Sequence, residues 1–220
     1  MQLAAALRKE LLLQWKTRGQ IAAVFIFGAT ALLLFSFSIG PNSEALRLYA
    51  SGFLWLALLL SSTLALAESF HLEMEQRALE GLLLLPIGER SLYYAKAIAN
   101  AAQITVLGIA LIPVMVVLYD AGTLRVGSLI VVVVLGSAGL AAPGTLYAAM
   151  TATIRGQQTL LPLLLFPLIV PVLLASVKAT TLFILGDPMG QARSWLTLLA
   201  AFDAIYWSLC GLLFGRVVEE

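Results

Sequence analysis

The chain has 220 residues, 61% of them hydrophobic and only 11% charged, with a net charge of +1. A soluble domain usually carries about 25% charged residues; here the few charges cluster between long apolar runs, which marks an integral membrane protein and excludes a large soluble core. The near-neutral balance offers no basic surface for nucleic acid, and a single cysteine (Cys210) and a single histidine (His71) exclude a disulfide framework and a Cys/His metal cluster.

The chain begins MQLAAALRKELLLQWKTRG. It shows no continuous apolar core before Ile21 and no small-residue cleavage site, so it reads as part of the working protein rather than a cleaved signal. Leu3, Leu7, Leu11 and Trp15 recur four apart and form one apolar stripe at about 100° per residue, with Lys9 and Lys16 opposite. That pattern predicts a helix lying in the membrane interface, against the plainer reading of a basic anchor before the first span.

Six stretches are long and apolar enough to cross a bilayer, which takes about 20 residues each. They run from about Gln20 to Ile39, Leu48 to Ala67, Ala97 to Tyr119, between Arg125 and Arg155, Gln157 to Val177, and about Trp195 to Gly215. The expected fold is therefore all-α: one transmembrane domain over residues 1–220, with six spans, an N-terminal interfacial helix and a short cytoplasmic helix. An even number of spans puts both termini on one side. If that side is the cytoplasm, nine Lys and Arg face inward (8, 9, 16, 18, 77, 90, 96, 155, 216) and four outward (47, 125, 178, 193), as the positive-inside rule requires.

Between the second and third spans lies EMEQRALEGLLLLPI, residues 73–87. On a helical wheel Glu73, Gln76, Arg77 and Glu80 share one side, and Leu72, Leu79, Leu82 and Leu83 most of the other. The pairs Glu73/Arg77 and Arg77/Glu80 would each stabilise a helix by only about 0.2–0.5 kcal/mol, too little to explain so ordered a face. A docking partner explains it better; a solvated loop kept out of lipid by its charges is the alternative. Pro86 ends the helix and Gly88 follows, so the chain turns and re-enters the membrane from Ser91 to Lys96.

The fourth segment exceeds the length of one span, and tilt, a kink at Pro143 or an interfacial end would absorb the excess. Its Gly136, Gly139, Ala142 and Gly144 suggest close helix–helix contact, within the chain or between two copies. Pro162, Pro167 and Pro171 should remove three donors from the fifth span, making either a deformable helix at a moving interface or a fixed bend. Asp203 is the one charge inside a span and a functional candidate on that ground, although about eight residues from Trp195 it reads as lying near the end of its span. Met115, Met150 and Cys210 read as packing residues, and Tyr93 and Tyr94 as interface markers.

The run E-x-E-Q-R-A-L-E-G-L-L-L-L-P-I resembles the coupling segment of ABC-2-type transporter permeases. FSIGP at 37–41, LLSSTLALAESF at 59–70 and AAPGTLYAAMTATIRGQQTLLPLLLFPLIVPVLL at 141–174 narrow the resemblance to the cytochrome c maturation protein B family, over essentially the whole chain. The resemblance implies that residues 72–88, including Leu79, Glu80, Leu83, Pro86 and Gly88, dock into a partner ABC ATPase of the maturation protein A type. It further implies maturation C and D subunits, a haem chaperone E and a place in the bacterial inner membrane, and two ATPases working as a pair make two permease copies per complex the natural expectation. ATP would enter through the partner, since no G-x-x-x-x-G-K-[ST] occurs in the chain, which makes it a transporter subunit rather than an enzyme. Haem would be a transported or handled ligand. The residues themselves supply no evident haem site, His71 being more ordinary as a solvated residue than as an iron ligand. Two rival functions stay open: an ABC-2 exporter of lipid, polysaccharide or drug, and a non-transporting scaffold that passes ATPase motion to haem-handling subunits.

Overall fold

The computed structural model describes residues 6–10, 14, 18–75, 89–122, 126–152 and 160–218. Residues 6–10 form a helical turn, followed by α1 (Arg18–Ile39), α2 (Ser43–Glu75), α3 (Glu89–Tyr119), α4 (Val126–Ala152), α5 (Leu160–Leu185) and α6 (Ala192–Val218). All six are long and apolar enough to cross a membrane, and among the described residues no strand occurs. The six helices alternate in direction. The end where α3 and α5 begin and α2, α4 and α6 finish is called the base here, and the opposite end the crown.

Local chemistry sets the crown turns. Gly40 closes α1 at φ +78°, with its N–H donating to the Ser36 carbonyl at 3.3 Å, and Asn42 caps α2 by accepting from the Ala45 N–H at 3.1 Å. Gly186 closes α5 at φ +106°. Asp187 then accepts from the N–H groups of Gln191 and Ala192 at 2.8 and 2.9 Å, which starts α6.

Helix ends depart from the span limits read from charge. The second span ends at Ala67, as its charges indicate, but its helix does not: α2 continues through the acidic run to Glu75, because a charge ends a membrane crossing but not a helix, and no Gly or Pro intervenes. The link from Ser91 to Lys96 is not a connector either, but the first turns of α3, which begins at Glu89. α5 reaches Leu185 rather than Val177.

α4 occupies the middle of the bundle and packs against α2, α3, α5 and α6, whereas α1 packs chiefly on α2 and α3 among the described residues. The length of the fourth segment is accommodated by one continuous helix of 27 residues, unbroken at the buried Pro143. Small residues let α4 sit there. A Cβ on Gly136 would strike the Trp55 ring of α2, one on Gly139 would fall 2.9 Å from Val172 of α5, and one on Gly144 would meet Leu66 of α2 at 2.5 Å. The small-residue face therefore makes contacts inside the chain.

Candidate functional site at the base of the third helix

The charged stretch expected to dock a partner lies mostly outside the described residues: Gln76, Arg77, Leu79, Glu80, Leu83, Pro86 and Gly88 all do, as do Leu3, Leu11 and Trp15 of the N-terminal stripe. Glu73 is placed, on the last turn of α2. What is described is the element on which that stretch delivers the chain, the base of α3, and it is tied on every side.

Tyr93 is fully buried and donates to the Ala142 carbonyl of α4 at 3.0 Å. Tyr94 donates to the Trp207 carbonyl of α6 at 3.3 Å and stacks on the Trp207 ring, centroids 6.4 Å apart. These two tyrosines are thus cross-braces inside the bundle rather than interface markers, because each hydroxyl finds a backbone carbonyl to satisfy it where two helices meet. Two turns further in, Asn100 donates to Thr145 Oγ1 of α4 at 3.0 Å and accepts from Ser69 Oγ of α2 at 3.3 Å. Tyr93, Ala97, Leu146, Cys210 and Phe214 form a compact apolar cluster around these bonds, which places Cys210 in packing as expected. Met115 is fully buried, whereas Met150 is exposed rather than core.

The next contact joins two elements far apart in the chain. Lys96, 2% exposed, pairs at 3.5 Å with Glu10, 5% exposed, on the N-terminal helical turn, and Lys9 approaches the other Glu10 oxygen at 3.3 Å. Ala6 is buried on the same side, while Leu7 is half-buried. The N-terminal turn is therefore pinned to α3 through a buried ion pair, in addition to whatever apolar face it presents to lipid. No periodic pattern could have shown this, since the partners stand 86 residues apart; the available signal was an acid inside an otherwise basic amphipathic segment.

The remaining candidates fall elsewhere. Pro162 lies in the first turn of α5, where a helix has no intrahelical acceptor for its N–H, so it costs no bond. Pro167 and Pro171 are exposed while Leu165, Ile169 and Val172 are buried. Both prolines face away from the bundle formed by the described residues, and α5 runs through them unbroken. Asp203 is not near the end of its span. It stands eleven residues after Ala192 and twelve before Gly215, at mid-depth, because α6 begins before Trp195. It is 9% exposed, and neither carboxylate oxygen has a hydrogen-bond partner.

Six membrane-length helices, with α4 at their centre, define a multi-pass integral membrane protein with no part of its fold built as a soluble domain among the described residues. The family described as CcmB protein matches residues 1–219, and the chain belongs to that family, which makes it a multi-pass protein of the inner membrane. It is similar to the Heme exporter protein B of Paracoccus denitrificans, 32% identical over 187 residues that cover 84% of this chain and 85% of the relative. It is also similar to that of Rhodobacter capsulatus, 32% identical over 170 residues, 77% of this chain and 78% of the relative. The Pseudomonas aeruginosa protein of the same name is 27% identical over 195 residues, 89% of this chain and 87% of the relative.

Proposed function

We propose that the chain is the permease subunit of an ABC-type assembly acting in cytochrome c maturation, in which a partner ATPase supplies the energy for haem export or for release of a haem-loaded chaperone outside the membrane. Membership of the CcmB family over residues 1–219 carries the reading, together with relatives named for haem export. In this reading residues 72–88 dock in a cleft of the ATPase with Glu73, Arg77 and Glu80 toward it. Closure of two ATPases, one on each of two permease copies, displaces that segment. α3 follows because its base begins at Glu89, and α4 and α6 follow α3 because Tyr93, Tyr94 and Asn100 bond it to them. Maturation C and D subunits and a haem chaperone complete the assembly, and both termini lie in the cytoplasm.

A second reading is the scaffold that transmits motion without carrying haem. Of the side chains of iron-binding type, Cys210 and Met115 are sealed in the core, and the exposed Met150 and Met189 stand at opposite ends of the bundle, Met150 near the base and Met189 at the crown. Uptake of haem into vesicles containing the assembled complex separates the two: uptake driven by ATP selects export, and ATP-dependent chaperone release without uptake selects the scaffold.

The first experiment is purification of the tagged chain from its own membranes in gentle detergent, with every co-purifying protein identified. An ABC ATPase with haem-handling membrane proteins is expected. An ATPase with lipid or sugar enzymes would replace the haem assignment with another ABC-2 exporter, and no ATPase would end the coupling reading. Within the complex, Glu80→Lys should leave insertion intact and uncouple ATP hydrolysis from chaperone release; normal release in that variant would remove residues 72–88 from the docking surface.

A further inference from the structure

Where α4, α5 and α6 meet at mid-depth, the bundle holds a charge that the coupling scheme does not use. Asp203 is 9% exposed and both its oxygens lack partners. The α4 backbone closes directly on it: a Cβ on Gly139 would fall 2.9 Å from Asp203 Oδ1. One turn along the same face of α4, a Cβ on Gly136 would fall 2.7 Å from Ser176 Oγ of α5, a fully buried hydroxyl that also has no partner. A carboxylate and a hydroxyl thus line one glycine face at successive turns, with Val172 packed beside them.

Among the described residues, nothing on the packed helices neutralises the carboxylate. On α3, Arg90 is exposed, Lys96 pairs with Glu10, and Tyr93, Tyr94 and Tyr119 spend their hydroxyls on the carbonyls of Ala142, Trp207 and Leu32. On α4 the titratable side chain is Tyr147, half-buried nearer the base; on α5 it is Lys178, exposed. On α6 itself Arg193 is exposed at the crown, Tyr206 and Cys210 lie toward the base, and Arg216 stands thirteen residues on from Asp203, in the last turn. Among the described residues no ion pair includes Asp203. An unpaired carboxylate in a dry membrane interior is among the most expensive groups a helix can carry, so its charge has to be met by something that is not a side chain of these helices.

We propose that the α4–α5–α6 junction is a monovalent-cation site, with Asp203 as its anionic ligand and the Ser176 hydroxyl as a neighbouring oxygen. A proton satisfies this chemistry by binding the carboxylate itself; Na⁺ or K⁺ satisfies it through oxygen ligands, the donors that hard cations take. With the site loaded, α6 packs neutral against Gly139. With the site empty, the charge draws water to the junction and parts α6 from α4. The site stands independently of the ATPase reading, because its argument uses no residue of the coupling segment.

The test uses the wild-type permease and Asp203→Asn, purified in lipid nanodiscs. If the occupant is a proton, the infrared spectrum near neutral pH contains a protonated-carboxyl band of one group per chain that Asp203→Asn abolishes and that exchange of Na⁺ or K⁺ for a bulky organic cation leaves in place. If it is an alkali cation, that band is missing, and Na⁺ or K⁺ raises the unfolding midpoint of the wild type but not of Asp203→Asn. The absence of both signals would overturn the proposal. Should Asp203→Asn fail to insert, the wild type with isotope-labelled aspartate carries both arms alone. The only other aspartates are Asp120, which is exposed, and Asp187, which lies in the turn before α6 and caps it, so a protonated, label-shifted band can come only from Asp203.

Discussion

Lys96 stands six residues inside a membrane-length helix, buried, because Glu10 meets it there. Removing one member of such a pair leaves the other charge buried and alone, which costs about 3–5 kcal/mol. Glu10→Gln and Lys96→Met should therefore each lower the thermal unfolding midpoint of the purified chain. The reversed pair, Glu10→Lys with Lys96→Glu, should recover part of that loss, and the incompleteness of the recovery follows from Lys9, which lies 3.3 Å from Glu10. Equal midpoints for all variants would mean that the pair does not hold the N-terminal turn. At this scale the sequence was only partly legible. Lys96 could be counted as a cation of the correct side, but its partner could not be found by periodicity, and Tyr93 and Tyr94 resembled interface residues because their carbonyl acceptors lie on other helices. Gly136 was legible as a contact residue, and its neighbour explains how strictly. Trp55 cannot swing aside, since its indole N–H donates to Thr180 Oγ1 at 2.9 Å. Gly136→Leu should thus cost about 1–3 kcal/mol or more in overpacking, read as a lower midpoint and a shifted Trp fluorescence spectrum.

Among the elements, α5 separates what composition reveals from what it hides. Its prolines were plain in the sequence; which way they point was not, because that depends on which face of α5 finds α4, α2 and α6. With Pro167 and Pro171 outward, the carbonyls of Leu163 and Pro167 lose their helical donors on the exposed side of the helix. Restoring the donors with Pro167→Leu and Pro171→Leu should slow backbone amide exchange over residues 163–171 and raise stability, by up to about 3 kcal/mol per proline where the native bend permits an ideal helix. Unchanged exchange with lowered activity would instead identify a bend fixed by packing. α2 gives the complementary case. Its hydropathy ended at Glu68, yet the helix runs to Glu75. The first helix-breaking residues after it are Gly81 and Pro86, so residues 72–75, which the sequence pattern assigns to a separate helix, belong to the end of α2. Under the proposed coupling, displacement of the docking stretch would be felt by α2 as well as α3, and these two helices share Asn100 and Ser69 as a hydrogen-bonded tie.

For the whole molecule, the number and order of spans followed from hydropathy, but not the placement of α4 at the centre or of α1 at the edge, since every span has a similar apolar content and only packing distinguishes them. Sidedness is the property on which the functional reading turns. Pairing weakens the raw count of charges on both sides: Lys96 is balanced by Glu10 at the base, and Arg47 by Asp120 at the crown, where it donates to the carboxylate at 2.9 Å. One cation is thereby discounted from each side, and the base keeps the excess that the positive-inside rule would assign to the cytoplasm. Single cysteines at Asn42 and Pro188, in a chain whose Cys210 is changed to Ser, should then react in intact cells with a thiol reagent that penetrates the outer membrane but not the inner one. A cysteine at Arg8 should react only after the inner membrane is opened. The reverse pattern would put residues 73–87 on the side of the membrane that holds no ATP. No ATPase could reach them, and the charged face would need a partner of another kind.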